Sequence, residues 1–393
     1  MNKDITIAHF SSVLPRACGI ATYTYALRKT LKDRYPNIKD FVVAIDDNEK
    51  GYKYSSSVKF HFNDHDLEGY REAAEFINKS DADIVDIQHE FGLYGAKVND
   101  ETLGKDDGKN FLIFLRALEK PAVTTMHMVY KKPNPHHAKV VEEICERSVK
   151  IVVLTEIAKK FLIKKYRVSP DKVMVITHGA PNVPRYSTSF FKEMLGFSKK
   201  DFIVSSFGLI RPKKGYEYLI DAISEIKKVR PNVKLLIIGR YHPLRNPEYY
   251  AMLKEKVKTM KLGDNVKFVN KFVNYSDLLN YLMATNVFVA PFLVLDQVSS
   301  GTIIYAMACG RACISTPFEY AKEVLANHRG LLVPPANSHA IAKEINFLIE
   351  HPKARHHMQN LAYRYARKQV WSKTARSYKH LFTDAIKANK KNK

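Results

Sequence analysis

The chain has 393 residues, 46% of them hydrophobic and 26% charged, the balance of a globular protein with length for two or three domains. No run approaches the ~18 apolar residues that span a bilayer, and the start, MNKDITIAHF, enters a strand-like segment without a signal-peptide pattern. The expected location is therefore the cytoplasm. The net charge of +23 favours anionic partners, either phosphorylated small molecules or an acidic membrane surface at the inner face. It does not favour nucleic acid, because no basic stripe interleaved with aromatics accompanies it.

Short apolar runs alternate with helix-length amphipathic stretches. The first half carries runs at 5–10, 41–45, 84–88, 122–126, 151–154 and 173–177. Helical patterns fall between them, at 22–32, 67–78, 111–118, 137–147 and 157–166. Segment 180–199 holds two prolines, breaks the alternation and reads as a connector. A second series of runs follows at 202–207, 234–238, 266–269, 287–291, 312–315 and 330–333, again separated by helical patterns. Val- and Ile-rich strands separated by helices predict parallel sheets covered on both faces. The fold class expected is α/β: two Rossmann-like, doubly wound domains, residues 1–185 and 200–370, with 371–393 as a final helix and basic tail. Ligands in such sheets sit outside the carboxyl ends of the strands.

Cys18, Cys145, Cys309 and Cys313 show no paired spacing and read as reduced thiols in or near the core. His136–His137 and His356–His357 are sequence neighbours. Neighbours do not share a helix face, so no metal site is expected.

Candidate chemistry gathers at strand ends. After the first run, Gly19 precedes a helix and opens backbone N–H groups to a ligand, although a plain turn glycine reads the same way. The loop is not G-x-G-x-x-G, which counts against a nicotinamide dehydrogenase. The third run ends in Gln88-His89-Glu90, where His89 or Glu90 could orient a sugar hydroxyl, accept a proton, or be structural. The fourth ends at His127, and His178 follows the sixth. In the second half, Arg211 and Lys214 follow a strand and precede a helix, a place for a diphosphate grip or for a solvated basic loop. The densest segment, 291–317, runs from a strand into Gln297, Ser299, Ser300, Gly301 and Thr302 and then a small-residue helix. Hydroxyls and backbone N–H groups at a helix start suit an anion, and equally an N-cap.

The segment Tyr305-Ala306-Met307-Ala308-Cys309-Gly310-Arg311 resembles the E-A-M-A-C-G-x-P signature of the family 4 retaining glycosyltransferases of GT-B fold. Lys214-Gly215, Leu154-Thr155-Glu156, His178-Gly179 and Trp371-Ser372 add to a resemblance along nearly the whole chain. It implies two domains facing across a cleft, with the last helix returning to the first domain. It also implies transfer of a hexose, mannose or glucose, from a GDP- or UDP-linked donor to a sugar, glycan or lipid-linked acceptor. Configuration would be retained, with neither metal nor cofactor. His127 matches the family's histidine near the donor sugar and Lys214 its phosphate-gripping lysine. Arg211 lies three residues before that lysine, whereas the family's arginine lies five before it. On this reading Gly19, Arg211, Lys214, Gln297, Ser299–Thr302 and Tyr305 bind the donor, and His89 and Glu90 line the acceptor side. The family's paired glutamates fall on Gln297 and Tyr305, neither acidic, so ribose recognition must differ. A non-catalytic nucleotide-sugar-binding subunit, a phosphorylase or an epimerase of the same shape are the alternatives.

Overall fold

The computed structural model describes residues 4–48, 51–94, 108–241 and 247–391. The chain forms two compact units, 1–179 with 371–393, and 180–370.

In the first unit the strands are β1 (Ile5–Ser11), β2 (Ile38–Asp46), β3 (Val58–Asn63), β4 (Ile84–His89), β5 (Ala122–Met126), β6 (Lys150–Val153) and β7 (Val173–Val175). Its helices are α1 (Gly19–Arg34), α2 (Leu67–Lys79), α3 (Lys109–Ala117), α4 (Pro135–Arg147) and α5 (Glu156–Lys165). The sheet order is β3-β2-β1-β4-β5-β6-β7, with parallel pairing throughout. The order reverses between β1 and β4, which makes their carboxyl ends the switch point where a ligand is expected.

Strand alternation sorts the two faces. Ile84 joins Ile7, Tyr23, Leu27 and Val123 in one buried cluster. Asp86 and Gln88, two and four residues on, continue that face. On the opposite face Phe10 stacks on Phe114 with centroids 3.7 Å apart and meets Phe62, Tyr94 and Phe111. Strand β3 escapes periodicity analysis because it is an edge strand with only Phe62 buried.

The second unit holds β8 (Phe202–Phe207), β9 (Val233–Ile238), β10 (Val266–Val269), β11 (Val287–Ala290), β12 (Ala312–Ser315) and β13 (Leu331–Leu332). These form a parallel sheet of order β10-β9-β8-β11-β12-β13. Its helices are α6 (Thr188–Met194), α7 (Tyr216–Lys227), α8 (Pro247–Thr259), α9 (Tyr275–Ala284), α10 (Gly301–Ala308), α11 (Glu319–Val324), α12 (Ser338–Glu350) and α13 (Pro352–Ala366). One core cluster joins the sheet to α7, α8 and α12. The other joins it to α9, α10, α11 and α13. The switch point lies between β8 and β11.

Segment 180–199, expected as a connector, folds with the second unit. Ala180 and Phe191 are in its core, with Val183, Leu195 and Phe197 packed against it. Helix α14 (Trp371–Lys391) belongs to the first unit, where Trp371, Ala375, Tyr378, Leu381 and Phe382 are buried with Tyr23 and Leu27. Residues 95–107 lie outside the described residues. Lys109 and Asn110 already belong to α3.

Candidate active site

The first unit gathers its polar groups at the ends of β4 and β5. His127 follows β5, and its backbone N–H donates to His89 O at 2.9 Å. Its Nε2 lies 2.9 Å from Gln88 Oε1, and its ring meets Tyr23 edge-on at 4.8 Å. Burial first, then His178 and His89, push its pKa down to about 3, so it is a neutral imidazole near pH 7. His178 touches the same Tyr23 ring at 5.1 Å, and its Nδ1 donates to Gly179 O at 2.8 Å. Gly179 is required there, since a Cβ would sit 2.2 Å from the Trp371 ring. Tyr23 OH is held by Tyr378 OH at 2.9 Å, which also pairs with Thr125 Oγ1 at 2.8 Å.

Gly19 is exposed at the start of α1. A Cβ there would meet nothing within 4 Å. The N-cap, Cys18, makes no side-chain capping bond, and the first turn carries no acid. The first-turn N–H groups of α1 thus have no side-chain acceptor from the N-cap, and Ile20 and Ala21 behind Gly19 are buried. His89 and Glu90 are placed differently from each other. His89 is fully buried, boxed by Phe91, Tyr94 and Phe111 with centroids 5.1–5.3 Å away, and desolvation brings its pKa down to about 3. Glu90 is part-exposed and accepts from Gly92 N at 3.1 Å.

In the second unit the loops after β8 and β11 are tied together. Leu293 N donates to Lys213 O at 2.9 Å. Gly215, at φ +69°, lies so close to Pro291 O that a Cβ would stand 2.0 Å from it. Only glycine combines that φ with that approach. Lys214, next to it, places Nζ 3.6 Å from the Phe292 ring centroid, a cation–π contact. Desolvation by burial, followed by repulsion from Arg211, brings its pKa down to about 7. Arg211 is exposed on the same loop. A Cβ at Gly208 would find Thr302 Cγ2 at 3.9 Å, so the β8 loop runs beside the start of α10. The Ser300 hydroxyl pairs with Thr302 Oγ1 at 2.8 Å and does not cap the helix. Two cations and the N-terminus of α10 thus adjoin one switch point. Gln297 Nε2 donates to Ser299 O at 2.5 Å and shapes this loop.

Tyr305, one turn into α10, is a core residue 4% exposed, with Phe207 at 6.5 Å and Tyr275 edge-on at 6.2 Å. The structure therefore puts Arg211 near Lys214, runs the β8 loop past Thr302 at the start of α10, and sets Tyr305 and His89 into hydrophobic surroundings. Two site neighbours carried readable signals that motif reading passes over. Gln88 touches His127, and Asp86 stands inside the otherwise apolar run IVDI. Phe292 had no signal in the sequence, because its ring becomes the seat of Lys214 only through the pairing of two loops.

Residues 187–365 match the family model described as Glycosyl transferases group 1. The match falls wholly inside the second unit. The chain is 24% identical over 261 residues to the D-inositol 3-phosphate glycosyltransferase of Corynebacterium glutamicum, covering 62% of this chain and 59% of that protein. It is 26% identical over 166 residues to a GDP-mannose-dependent monoacylated alpha-(1-6)-phosphatidylinositol monomannoside mannosyltransferase of the same species, covering 41% of each. Less than two thirds of either relative's length is thus matched. The sucrose-phosphate synthase of Thermosynechococcus elongatus superposes with a TM-score of 0.78 over 98% of this chain and 100% of that one, at 18% identity. This likeness shows the fold: two parallel-sheet, Rossmann-like α/β domains.

Proposed function

We propose that the protein is a hexosyltransferase that moves mannose or glucose from a nucleoside diphosphate sugar to an acceptor hydroxyl, with retention and without a metal. The observation that carries this is that the β8 loop, which bears Lys214 and Arg211, passes the start of α10 at the β8/β11 switch point. The chemical difficulty of such a transfer is the charge that grows on the departing diphosphate. Fixed cations and backbone N–H groups already oriented before reaction stabilise it with little reorganisation. In the first unit, the neutral imidazole of His127 supplies a hydrogen-bonding group for the sugar. The part-exposed Glu90 and the exposed Gly19 at the start of α1 supply polar contacts for substrates. No protein nucleophile enters this scheme.

The similarity to a GDP-mannose-dependent relative favours a mannosyl donor. The acceptor on this reading is a sugar, glycan or lipid-linked hydroxyl. The high positive charge suits an anionic acceptor, or an acceptor presented on an anionic membrane surface.

The test is release of nucleoside diphosphate from GDP- and UDP-sugars in the presence of candidate acceptors, with the anomeric configuration of the product read by NMR. Release at the parent rate by Lys214→Ala removes the phosphate assignment. Because Gln297 and Tyr305 are neutral where the resembling family carries acids, a binding-only subunit is the second reading. Nucleotide binding in calorimetry with no turnover on any donor establishes it instead.

A further inference from the structure

A line of buried polar side chains runs through the first unit to His127. Asp40, on β2, accepts from Arg28 Nε at 2.9 Å and lies 2.6 Å from Lys32 Nζ. Its Oδ2 is 3.5 Å from His9 Nε2, a charge contact longer than a hydrogen bond. His9 Nδ1 is 2.8 Å from Asp86 Oδ2. Gln88 Nε2 donates to both Asp86 oxygens, at 2.9 and 3.0 Å, and Gln88 Oε1 stands 2.9 Å from His127 Nε2. His9, Asp86 and Gln88 are completely buried.

The donor and acceptor inventory leaves little freedom in this line. As a carboxylate Asp86 only accepts, so the Gln88 amide must turn its NH2 toward it. The reverse orientation would put an amide oxygen against two carboxylate oxygens in a dry interior, where an unmatched polar group costs most. With the NH2 spent on Asp86, the amide oxygen faces His127 and can only accept. His127 Nε2 must then carry the hydrogen. His9, between two carboxylates, is placed to be an imidazolium. Burial opposes that charge, but Asp40 and Asp86 outweigh it and its pKa is raised.

We infer that Gln88 is a positioning residue, oriented by Asp86, that holds His127 in the Nε2–H tautomer and leaves its lone pair on Nδ1. In that tautomer Nδ1 can only accept a hydrogen bond, and Nε2 only donate. This deepens the proposed transferase role of His127 and rests on it only for its functional consequence.

The test reads the tautomer directly. The protein is labelled with 15N-histidine, and the His127 ring nitrogens are assigned by their loss in His127→Gln. At pH 7 the wild-type protein should show a pyrrole-type Nε2 and a pyridine-type Nδ1. A pyrrole-type Nδ1, or a charged ring, overturns the inference without any variant having to fold. Gln88→Met keeps the volume and removes the acceptor, and should give a mixture of tautomers. A His127 ring unchanged in that variant also overturns the inference. Where the tautomer shifts, kcat for nucleoside diphosphate release should fall about 10- to 100-fold, the range for losing the partner that orients an imidazole, with donor KM unchanged. A tautomer shift with undiminished kcat upholds the role of Gln88 and overturns the one given to His127.

Discussion

Lys214→Met separates the two contributions of one side chain. The ammonium sits on the Phe292 ring at 3.6 Å in a loop fixed by Gly215, and burial has already brought its pKa down to about 7. At an effective dielectric of about 20, a unit charge about 4 Å from an anion contributes roughly 4 kcal/mol. Loss of one preorganised donor costs about 3–4 kcal/mol in the transition state. Nucleoside diphosphate release should therefore fall about 10²- to 10³-fold in kcat/KM. Stability should move the other way. A lysine whose folded pKa lies below its unfolded value destabilises the folded protein most at pH below about 7, and this penalty fades as pH rises toward 10.5. Methionine removes it, so the variant should melt higher than the parent, by most below pH 7. In the parent, kcat/KM for the donor should decline as pH rises through about 7, because the free protein loses the charge that grips the phosphate. A stopped assay of diphosphate release from pH 5.5 to 9, with thermal melts of both proteins, measures all of this. Parent-level release by the methionine variant, or a variant that melts below the parent at pH 6, refutes the reasoning.

Arg311 is buried in the second unit and donates to Cys309 O, Thr285 O and Met283 O at 2.7, 2.8 and 3.2 Å. Arg311→Met strands these carbonyls and should cost about 3 kcal/mol or more, read as a lower denaturant midpoint for that unit. Gly215→Ala meets Pro291 O at 2.0 Å with φ at +69°. It should part the β8 and β11 loops and weaken nucleotide binding in calorimetry more than it lowers the melting temperature. Tyr378→Phe removes the hydroxyl shared by Tyr23 and Thr125 and should cost about 1–3 kcal/mol in chemical denaturation.

Much of the fold was legible because hydrophobic burial imposes a period on the sequence. The runs at 84–88 and 122–126 coincide with their strands to a residue or less and are buried at every position, as strands covered on both faces are. Edge strand β3, half-exposed, leaves no such trace. The proline-marked break at 180–199 was visible, yet which unit it packs on depends on Phe191 finding a core that forms from distant residues. Site residues divide in the same way. Lys214 and Ser299–Thr302 could be read because each stands just after a strand and before a helix, a local arrangement of charge and backbone that needs no partner. His127 was readable as a histidine at a strand end. Its tautomer was not, because that depends on Gln88 and Asp86 from β4 and His9 from β1, groups 39, 41 and 118 positions away in the chain that are brought together only by strand register. His89 shows the converse. Its neighbour in sequence faces the His127 network, and the one-residue alternation of a strand turns His89 to the opposite face, into a box of aromatic rings. Local order thus followed from the sequence. The protonation and surroundings of each site group were decided by the tertiary structure, because hydrogen bonds and burial depend on what lies across space.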